Sequence, residues 1–200
     1  IGQTAEHQLD GLADLGAALA CDMGIAPGSL WRMSNGYALP DRAMLAQIEE
    51  RLSDMADAEK DKLRGLLRVG VHSNVGVTEI GAMPDMRVTQ VYCSALPVAY
   101  SGIPKAEWSG LATLVLEAAY EATLLSACLN ASQGNSNRLL LTRIGGGAFG
   151  NDEIWINEAI MRALRITAGQ GLKVIMVSYG PPNTPMQSLE ASWRQAGNFT

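Results

Sequence analysis

The stretch from Arg138 to Tyr179 decides the fold. It begins with the apolar run Arg138-Leu-Leu-Leu-Thr-Arg-Ile144 and continues with Gly145-Gly-Gly-Ala-Phe-Gly150, called the glycine loop below. A helical pattern from Asp152 to Arg165 follows, and then a second apolar run, Lys173-Val-Ile-Met-Val-Ser-Tyr179. Two short apolar runs separated by a loop and by apolar residues at helical spacing predict one strand–loop–helix–strand unit.

The glycine loop has the properties of a phosphate-binding turn. Its three consecutive glycines, beginning at Gly145, lack Cβ atoms, so backbone N–H groups can converge and a ligand can approach them closely. The positive end of the following helix points to the same place. Asp152 and Glu153 in the first helical turn argue against a bound anion, because they already satisfy the helix dipole. We expect Asn151, just before them, to be the N-cap.

Other glycine-rich motifs fit the loop less well. Gly145, Gly147 and Gly150 match the spacing G-x-G-x-x-G, but the next strand ends at Tyr179 without the acidic residue that would hold a ribose. A nucleotide-hydrolysing P-loop requires Gly-Lys-Ser/Thr, which is absent after Gly150. A tight turn that only connects the strand to the helix remains an alternative.

The composition is that of an ordinary globular protein. Of 200 residues, 48% are hydrophobic and 18% charged, which is enough for one domain with a core, with or without a helical appendage. The net charge of -5 argues against nucleic-acid binding, which usually needs a basic face. No uninterrupted apolar run reaches about 18 residues, so no membrane partner is expected. The start at Ile1 predicts a fragment or a processed chain.

Cysteines and histidines are too few and too scattered for a metal site. Cys21, Cys93 and Cys128 fit neither a disulfide framework nor a zinc spacing, and are expected to be free thiols in a reducing compartment. His7 and His72 are the only histidines, so no His-based metal cluster is available. We therefore expect no metal, no cofactor and a cytoplasmic location.

The first 65 residues are expected to form a helical N-terminal extension. Apolar residues keep helical spacing in a first helix, at Leu9, Leu12, Leu15 and Leu19. A Gly-, Pro- and Ser-rich break follows from Gly24 to Asn35. Pro40-Asp41 then starts a second amphipathic helix. It either runs to Leu67 or breaks near residues 57–59.

From Leu66 onward, strand patterns alternate with helical ones. Strands are predicted at Leu67–His72 and Val88–Cys93, and residues 75–78 either extend the first strand or pair beyond a bulge. The pattern predicts a long helix from Glu107 to Ser132 and a closing helix from Met186 to Gln195. Strands separated by helices predict an α/β fold, in which ligands bind beyond the carboxyl ends of the strands.

The long helix carries two acidic residues in apolar surroundings. It is expected to be mostly buried, with Leu125 and Leu129 on its apolar stripe and with Glu117 and Glu121 one turn apart. A buried carboxylate must be paired, hydrogen-bonded or protonated. Glu121 is therefore either structural, paired with Arg143 or Arg165, or part of a catalytic site.

Leu140-Leu-Thr-Arg-Ile-Gly-Gly-Gly-Ala-Phe-Gly-Asn151 resembles the strand and phosphate loop of macro domains, which bind ADP-ribose. Val91–Tyr100 and Leu116–Leu124 resemble a divergent macro-domain branch, that of arginine-specific ADP-ribosyl hydrolases of bacterial effectors. The resemblance covers about residues 66–184. It implies a macro-domain-like mixed sheet between helices, with residues 66–200 as the ADP-ribose-binding domain and residues 1–65 as the N-terminal extension.

The resemblance also implies the roles of ligand-binding residues. The glycine loop would hold the diphosphate, Phe149 would lie against the distal ribose, and Asn74 and Tyr179 would lie near the adenine. The loop from Cys93 to Pro97 departs from the family's Asn-Ala-Ala-Asn pattern. The implied ligand-binding set is Asn74, Ser94, Ala95, Gly145, Gly146, Gly147, Ala148, Phe149, Gly150, Asn151 and Tyr179.

The function implied by the resemblance is hydrolysis of ADP-ribose from modified protein side chains, arginine-linked ones in particular. A carboxylate could activate water and support the positive charge that develops at the ribose, and Glu121 and Glu117 are the candidates. The partner would be ADP-ribose or an ADP-ribosylated protein, in the cytoplasm or in a host cytosol. A non-catalytic ADP-ribose reader and an enzyme that binds another dinucleotide are the alternatives.

Overall fold

The computed structural model describes residue 4 and residues 9–79, 81, 83 and 85–197, so His7 lies outside the described residues. Within these ranges are six α-helices and three two-stranded sheets. The mixed α/β class predicted from the sequence is confirmed. Two of the strand pairs are antiparallel and one is parallel.

The N-terminal extension contains three helices and a short hairpin. They are α1 (Ala13–Asp22), β1 (Arg32–Ser34), β2 (Tyr37–Leu39), α2 (Arg42–Asp54) and α3 (Asp57–Arg64). The Asp41 carboxylate caps α2 by accepting the N–H of Met44 at 2.8 Å. At Met55 the backbone becomes extended, so the predicted second helix breaks before α3 and does not run on to Leu67.

The hairpin is an element that the sequence prediction omitted. Its two central residues, Asn35 and Gly36, have φ angles of 50° and 80°. Positive φ at both positions is typical of the tight turns that join neighbouring antiparallel strands. The register pairs Arg32 with Leu39 and Ser34 with Tyr37.

Strands β3 (Gly70–Gly76) and β4 (Arg87–Tyr92) form an antiparallel ribbon. The register shifts between His72 and Val75, so the predicted bulge is confirmed. Most side chains of the ribbon are exposed, because the long helix Ser109–Ser132 covers only part of it.

The central helix is α4 (Ser109–Ser132), which follows short 3-10 turns at Val98–Tyr100 and Lys105–Trp108. Its first turn is capped from α2, because the Glu49 carboxylate accepts the N–H groups of Gly110 at 2.7 Å and Leu111 at 2.8 Å. These N–H groups have no partner within the helix itself. Desolvation raises the pKa of Glu49, while the two N–H groups act in the opposite direction.

Burial of α4 is uneven along its length. Its buried residues lie between Leu111 and Leu124. Leu125 and Leu129 are 42% and 65% exposed, so the prediction that they are buried is wrong. The core contacts of α4 fall on its first four turns, and its last turns carry apolar side chains that face outward.

The strand–loop–helix–strand unit predicted from the sequence is confirmed. Strand β5 (Arg138–Leu141) leads through the glycine loop to α5 (Glu153–Ile166), and then to β6 (Lys173–Met176). The two strands pair in parallel, from Arg138 opposite Lys173 to Leu141 opposite Met176. A last helix, α6 (Thr184–Gln195), packs on α5. Because β5 and β6 are parallel, the glycine loop and the segment after Met176 lie at the same end of the pair.

The buried residues form two clusters that meet on α4. One cluster joins α1, α2 and the hairpin to the first part of α4, through Leu111 and Leu114 for example. The other joins β5 and α5 to the next turns of α4, through Leu116 and Leu124. The N-terminal extension therefore shares its core with the central helix.

The segment Lys105–Ser132 is long and apolar enough to cross a membrane, with a mean hydropathy of 1.3. Over its most apolar window, 56% is buried inside the protein. Core helices of soluble proteins meet the same criteria, so length and composition are weak evidence of a membrane span.

Candidate functional site

The loop that follows β4 packs directly against the glycine loop. A Cβ atom on Gly145 would lie 2.7 Å from the Cβ of Ala95, and one on Gly150 would lie 2.8 Å from the Cβ of Ala99. Both glycines also have positive φ angles, 86° and 70°. Any larger residue would therefore be strained at these positions and would separate the two loops.

Asn151 joins the two loops from the inside. Its side-chain amide donates hydrogen bonds to the carbonyl of Leu96 at 2.8 Å and to that of Gly145 at 3.0 Å. Asn151 is only 5% exposed, and its Oδ1 atom has no hydrogen-bond partner among the described residues. The prediction that Asn151 is the N-cap of α5 is wrong. The N-cap is Asp152, whose carboxylate accepts the N–H of Ile154 at 3.0 Å.

The outer part of the glycine loop presents free backbone donors. The N–H groups of Gly146, Gly147 and Ala148 have no acceptor among the described residues, whereas that of Phe149 belongs to the 3-10 turn Gly147–Phe149. Gly147 and Ala148 are exposed, and a Cβ atom on Gly147 would meet nothing within 4 Å. Successive free N–H groups in a turn form a concave anion site, and the start of α5 adds the positive end of its dipole.

Both acidic residues at the start of α5 have cationic partners. Asp152 forms an ion pair with Lys105 at 2.6 Å, and Glu153 forms one with Arg143. The hydrogen bond from Lys105 is the main reason why the pKa of Asp152 is lowered. The sequence suggested that these carboxylates would oppose an anion at the loop, but their charges are largely balanced by these neighbours. The second oxygen of Glu153 lies 3.4 Å from the position of a Cβ atom on Gly146, so this carboxylate borders the loop.

Tyr120 of α4 holds the strand end that leads into the glycine loop. Its hydroxyl accepts the N–H of Ile144 at 2.8 Å and donates to the carbonyl of Thr142 at 3.3 Å. The side chain is 1% exposed, and burial raises the pKa of Tyr120 far above its ordinary value. Tyr120 therefore stays protonated at physiological pH and acts as a fixed support for the loop. No site role was predicted for it, although a tyrosine in an apolar helix usually needs a polar partner.

Three aromatic rings meet at the end of the glycine loop. The centroid of Phe149 lies 5.5 Å from that of Tyr37 and 5.6 Å from that of Tyr100, and the Tyr37–Tyr100 distance is 5.8 Å. All three pairs have edge-to-face geometry, which is favourable for aromatic rings. Tyr37 belongs to the unpredicted hairpin, so the N-terminal extension reaches the candidate site.

The predicted catalytic residues lie in ion pairs that involve α3 and α5. Glu121 pairs with Arg162, and not with Arg143 or Arg165 as expected from the sequence. Glu117 pairs with Arg64 at 2.8 Å and is 14% exposed at its side chain. Desolvation raises the pKa of Glu117, and the nearby arginines act in the opposite direction. Neither carboxylate has a hydrogen bond or an ion pair to the glycine loop within the described residues.

The other predicted binding residues are spread over the molecule. Asn74 lies in the bulge of β3, exposed and with φ 56°, and its carbonyl accepts a hydrogen bond from Arg87. It lies four positions after Gly70, which pairs with Tyr92 at the site end of β4. Tyr179 is fully exposed beyond β6. Ser94 lies at the site end of β4, where its hydroxyl donates to the carbonyl of Ala95.

The structure therefore brings together one part of the predicted set. The glycine loop, Asn151 and Ala95 form one unit, with Phe149 against the aromatic rings. No group of three or more His, Cys, Asp or Glu side chains that could hold a metal occurs in the part of the chain that the structure describes. No family model, no curated protein and no solved structure matches this chain.

Proposed function

We propose that this chain binds ADP-ribose at the glycine loop and hydrolyses the bond that joins ADP-ribose to a protein side chain, an arginine in particular. The observation that carries the proposal is the row of three free N–H groups from Gly146 to Ala148, beside the loop that follows β4. The resemblance of Leu140–Asn151 to a macro-domain phosphate loop supports the same ligand. A macro-domain-like arrangement of the strands is part of this proposal.

Free N–H groups suit a diphosphate better than a carbonyl or a carboxylate ligand. A diphosphate offers several oxygen acceptors at once, and hydrogen bonds to a charged acceptor are about twice as strong as neutral ones. In the proposed complex the diphosphate lies on the N–H groups of residues 146–148. The distal ribose lies against Phe149, whose ring is fixed by Tyr37 and Tyr100. The adenosine extends toward the segment that follows β6.

Hydrolysis requires a water molecule that attacks the anomeric carbon of the distal ribose. The C–N bond to the side chain breaks, and its electron pair goes to the guanidinium nitrogen, which leaves as a neutral guanidine. The water proton passes to a carboxylate and from there to the guanidine. Glu153 is our first candidate for this base, because one of its oxygens is bonded to Arg143 while the other borders the glycine loop. Glu121 and Glu117 are also bonded to arginines, and neither has a hydrogen bond or an ion pair to the glycine loop within the described residues.

Calorimetric titration with ADP-ribose tests the binding proposal. Gly147→Val should weaken the affinity by about 1–3 kcal/mol, because a side chain at the open face blocks the charged ligand from its donors. Gly169→Val is the matched control, since Gly169 also has a positive φ and open space but lies beyond α5. Equal affinities in folded Gly147→Val and Gly169→Val proteins would contradict a phosphate site at this loop.

A non-catalytic ADP-ribose reader is the second candidate function. It is favoured by one observation, that both carboxylates predicted to be catalytic are held by arginines. Single-turnover release of ADP-ribose from an arginine-modified protein separates the two functions. Binding without release in the wild-type protein would establish the reader. Tighter binding of NAD than of ADP-ribose would point to another dinucleotide, and tighter binding of ATP would point to a mononucleotide.

A further inference from the structure

A cavity of about 700 Å³ lies between the N-terminal hairpin and the 3-10 turn at Val98–Tyr100. Its lining residues come from residues 28–32, from residues 39–41 and from Tyr100 and Ser101. Residues 28–32 lead into β1, and residues 39–41 connect β2 to α2. The cavity is therefore built mainly from the N-terminal extension, and Tyr100 is its link to the rest of the molecule.

Tyr100 is a wall that the cavity shares with the candidate site. Its ring contacts Phe149 of the glycine loop, with centroids 5.6 Å apart, and it also lines the cavity. Half of Tyr100 is exposed, at 52%, so the ring remains available to a ligand. A group attached to a ligand at Phe149 could reach the cavity along this one residue.

Two charged side chains of opposite sign line the cavity, Arg32 and Asp41. Arg32 lines the cavity, is exposed, and forms no ion pair with any described residue. The Asp41 carboxylate is held at the start of α2, where it accepts the N–H of Met44 and where the positive end of the helix dipole opposes part of its charge. An acidic group in the cavity would therefore find a cation without displacing an existing partner.

We propose that this cavity binds an acidic peptide segment that flanks the modified side chain of the protein substrate. The inference rests on the proposed function, because it places the modified side chain at the distal ribose beside Phe149. The hairpin is then the part of the enzyme that contacts and selects the substrate protein. Arg32 supplies the charge that selects for aspartate or glutamate, and Tyr100 separates the peptide from the ribose.

Titration with two ADP-ribosylated peptides tests the inference. Both peptides carry the same modified arginine, flanked by aspartates in one and by serines in the other, and free ADP-ribose and the unmodified acidic peptide are titrated in parallel. Arg32→Glu should weaken the affinity for the acidic modified peptide by about tenfold, because an attraction becomes a repulsion. It should leave the serine peptide and ADP-ribose unchanged. Arg138→Glu is the matched control, since Arg138 is exposed at the start of β5 and also lacks an ion pair among the described residues.

The remaining outcomes separate this inference from the proposed function. If Arg32→Glu weakened the affinity for both peptides and for ADP-ribose equally, the cavity would be assigned to ADP-ribose itself, and the peptide subsite would be overturned. No difference between Arg32→Glu and the wild-type protein on the acidic peptide would also overturn it. If the wild-type protein bound no ADP-ribose, the proposed function would fail. In that case, weaker binding of the unmodified acidic peptide by Arg32→Glu, but not by Arg138→Glu, would still support the cavity as a peptide site.

Discussion

The two polar sides of α4 differ in whether their hydrogen-bonding groups already have partners. On the loop side, Tyr120 holds the strand end before the glycine loop, and the three N–H groups of residues 146–148 have no described acceptor. On the arginine side, Glu117 and Glu121 are bound by Arg64 and Arg162. Paired charges stabilise a packed interface, whereas free donors are available to a ligand. The comparison teaches that the apolar surroundings of a carboxylate are a weaker sign of a binding site than unsatisfied backbone groups.

The largest expected effect is on the arginine side. Arg64 is 6% exposed at its side chain and bonds Glu117, Asp57 and Asp61. Arg64→Ala should lower the free energy of unfolding by about 3 kcal/mol, because it leaves a half-buried carboxylate without its cation. The measurement is urea denaturation of the wild-type protein and of Arg64→Ala.

The control for Arg64 is an exposed ion pair of similar geometry. Arg42 pairs with Glu107, and the arginine side chain is 68% exposed. Arg42→Ala should cost only about 0–1 kcal/mol, because water screens exposed charges. Similar losses in Arg42→Ala and Arg64→Ala would show that the arginine side is not a buried interface.

The second effect is on the rate of ADP-ribose release, which distinguishes the loop side of α4 from the arginine side. Glu153→Gln should reduce the single-turnover release of ADP-ribose by about 100-fold while ADP-ribose affinity changes little, because Gln cannot take a proton from water. Glu121→Gln should instead lower the melting temperature, because Arg162 loses part of its counter-charge. The opposite pattern, slow release in Glu121→Gln and normal release in Glu153→Gln, would move the catalytic centre to the arginine side.

The third effect concerns the support of the loop. Tyr120→Phe removes the hydroxyl that accepts the N–H of Ile144, leaving a part-buried donor unpaired. It should cost about 1–2 kcal/mol of stability and weaken ADP-ribose binding. Tyr92→Phe is the control, since the Tyr92 hydroxyl bonds only the exposed side chain of Gln90. An unchanged affinity in Tyr120→Phe would mean that the loop keeps its shape without this support.

The smallest effect is a pH dependence at the start of α5. The pKa of Asp152 is lowered in the folded protein by Lys105, so its contribution to stability is present above the ordinary Asp pKa. That contribution is lost as the pH falls through the lowered folded pKa. Melting temperatures measured from pH 6 down to pH 2 should therefore fall less in Asp152→Asn than in the wild-type protein. Parallel curves would show that Asp152 has no such pairing in solution.

Local sequence patterns predicted one half of the candidate site. The order of β5, the glycine loop, α5 and β6 follows from apolar periodicity and from glycine, both of which act over a few residues. The hairpin was not predicted, although Asn35-Gly36 is a strong sequence signal for a tight turn. The strands beside it have three residues each, too few for a periodic pattern to appear.

The partners of the carboxylates could not be predicted in the same way. Several arginines could have paired with Glu121. Which one does so depends on how α3, α4 and α5 are rotated about their axes. The role of Asn151 depends on the carbonyl of Leu96, 55 residues earlier in the chain. Contacts at such separations arise from the packing of whole elements, to which no local pattern corresponds.

The carboxylate cap on α4 sets a limit on how the protein can be divided. Glu49 of α2 accepts the first N–H groups of α4, at Gly110 and Leu111. A shortened chain that began after Gly65 would lose this cap together with the helices that cover the first turns of α4. Its exposed apolar surface would favour aggregation. Residues 1–65 therefore belong in any version of the protein prepared for binding or crystallisation, even if the ligand touches only the later residues.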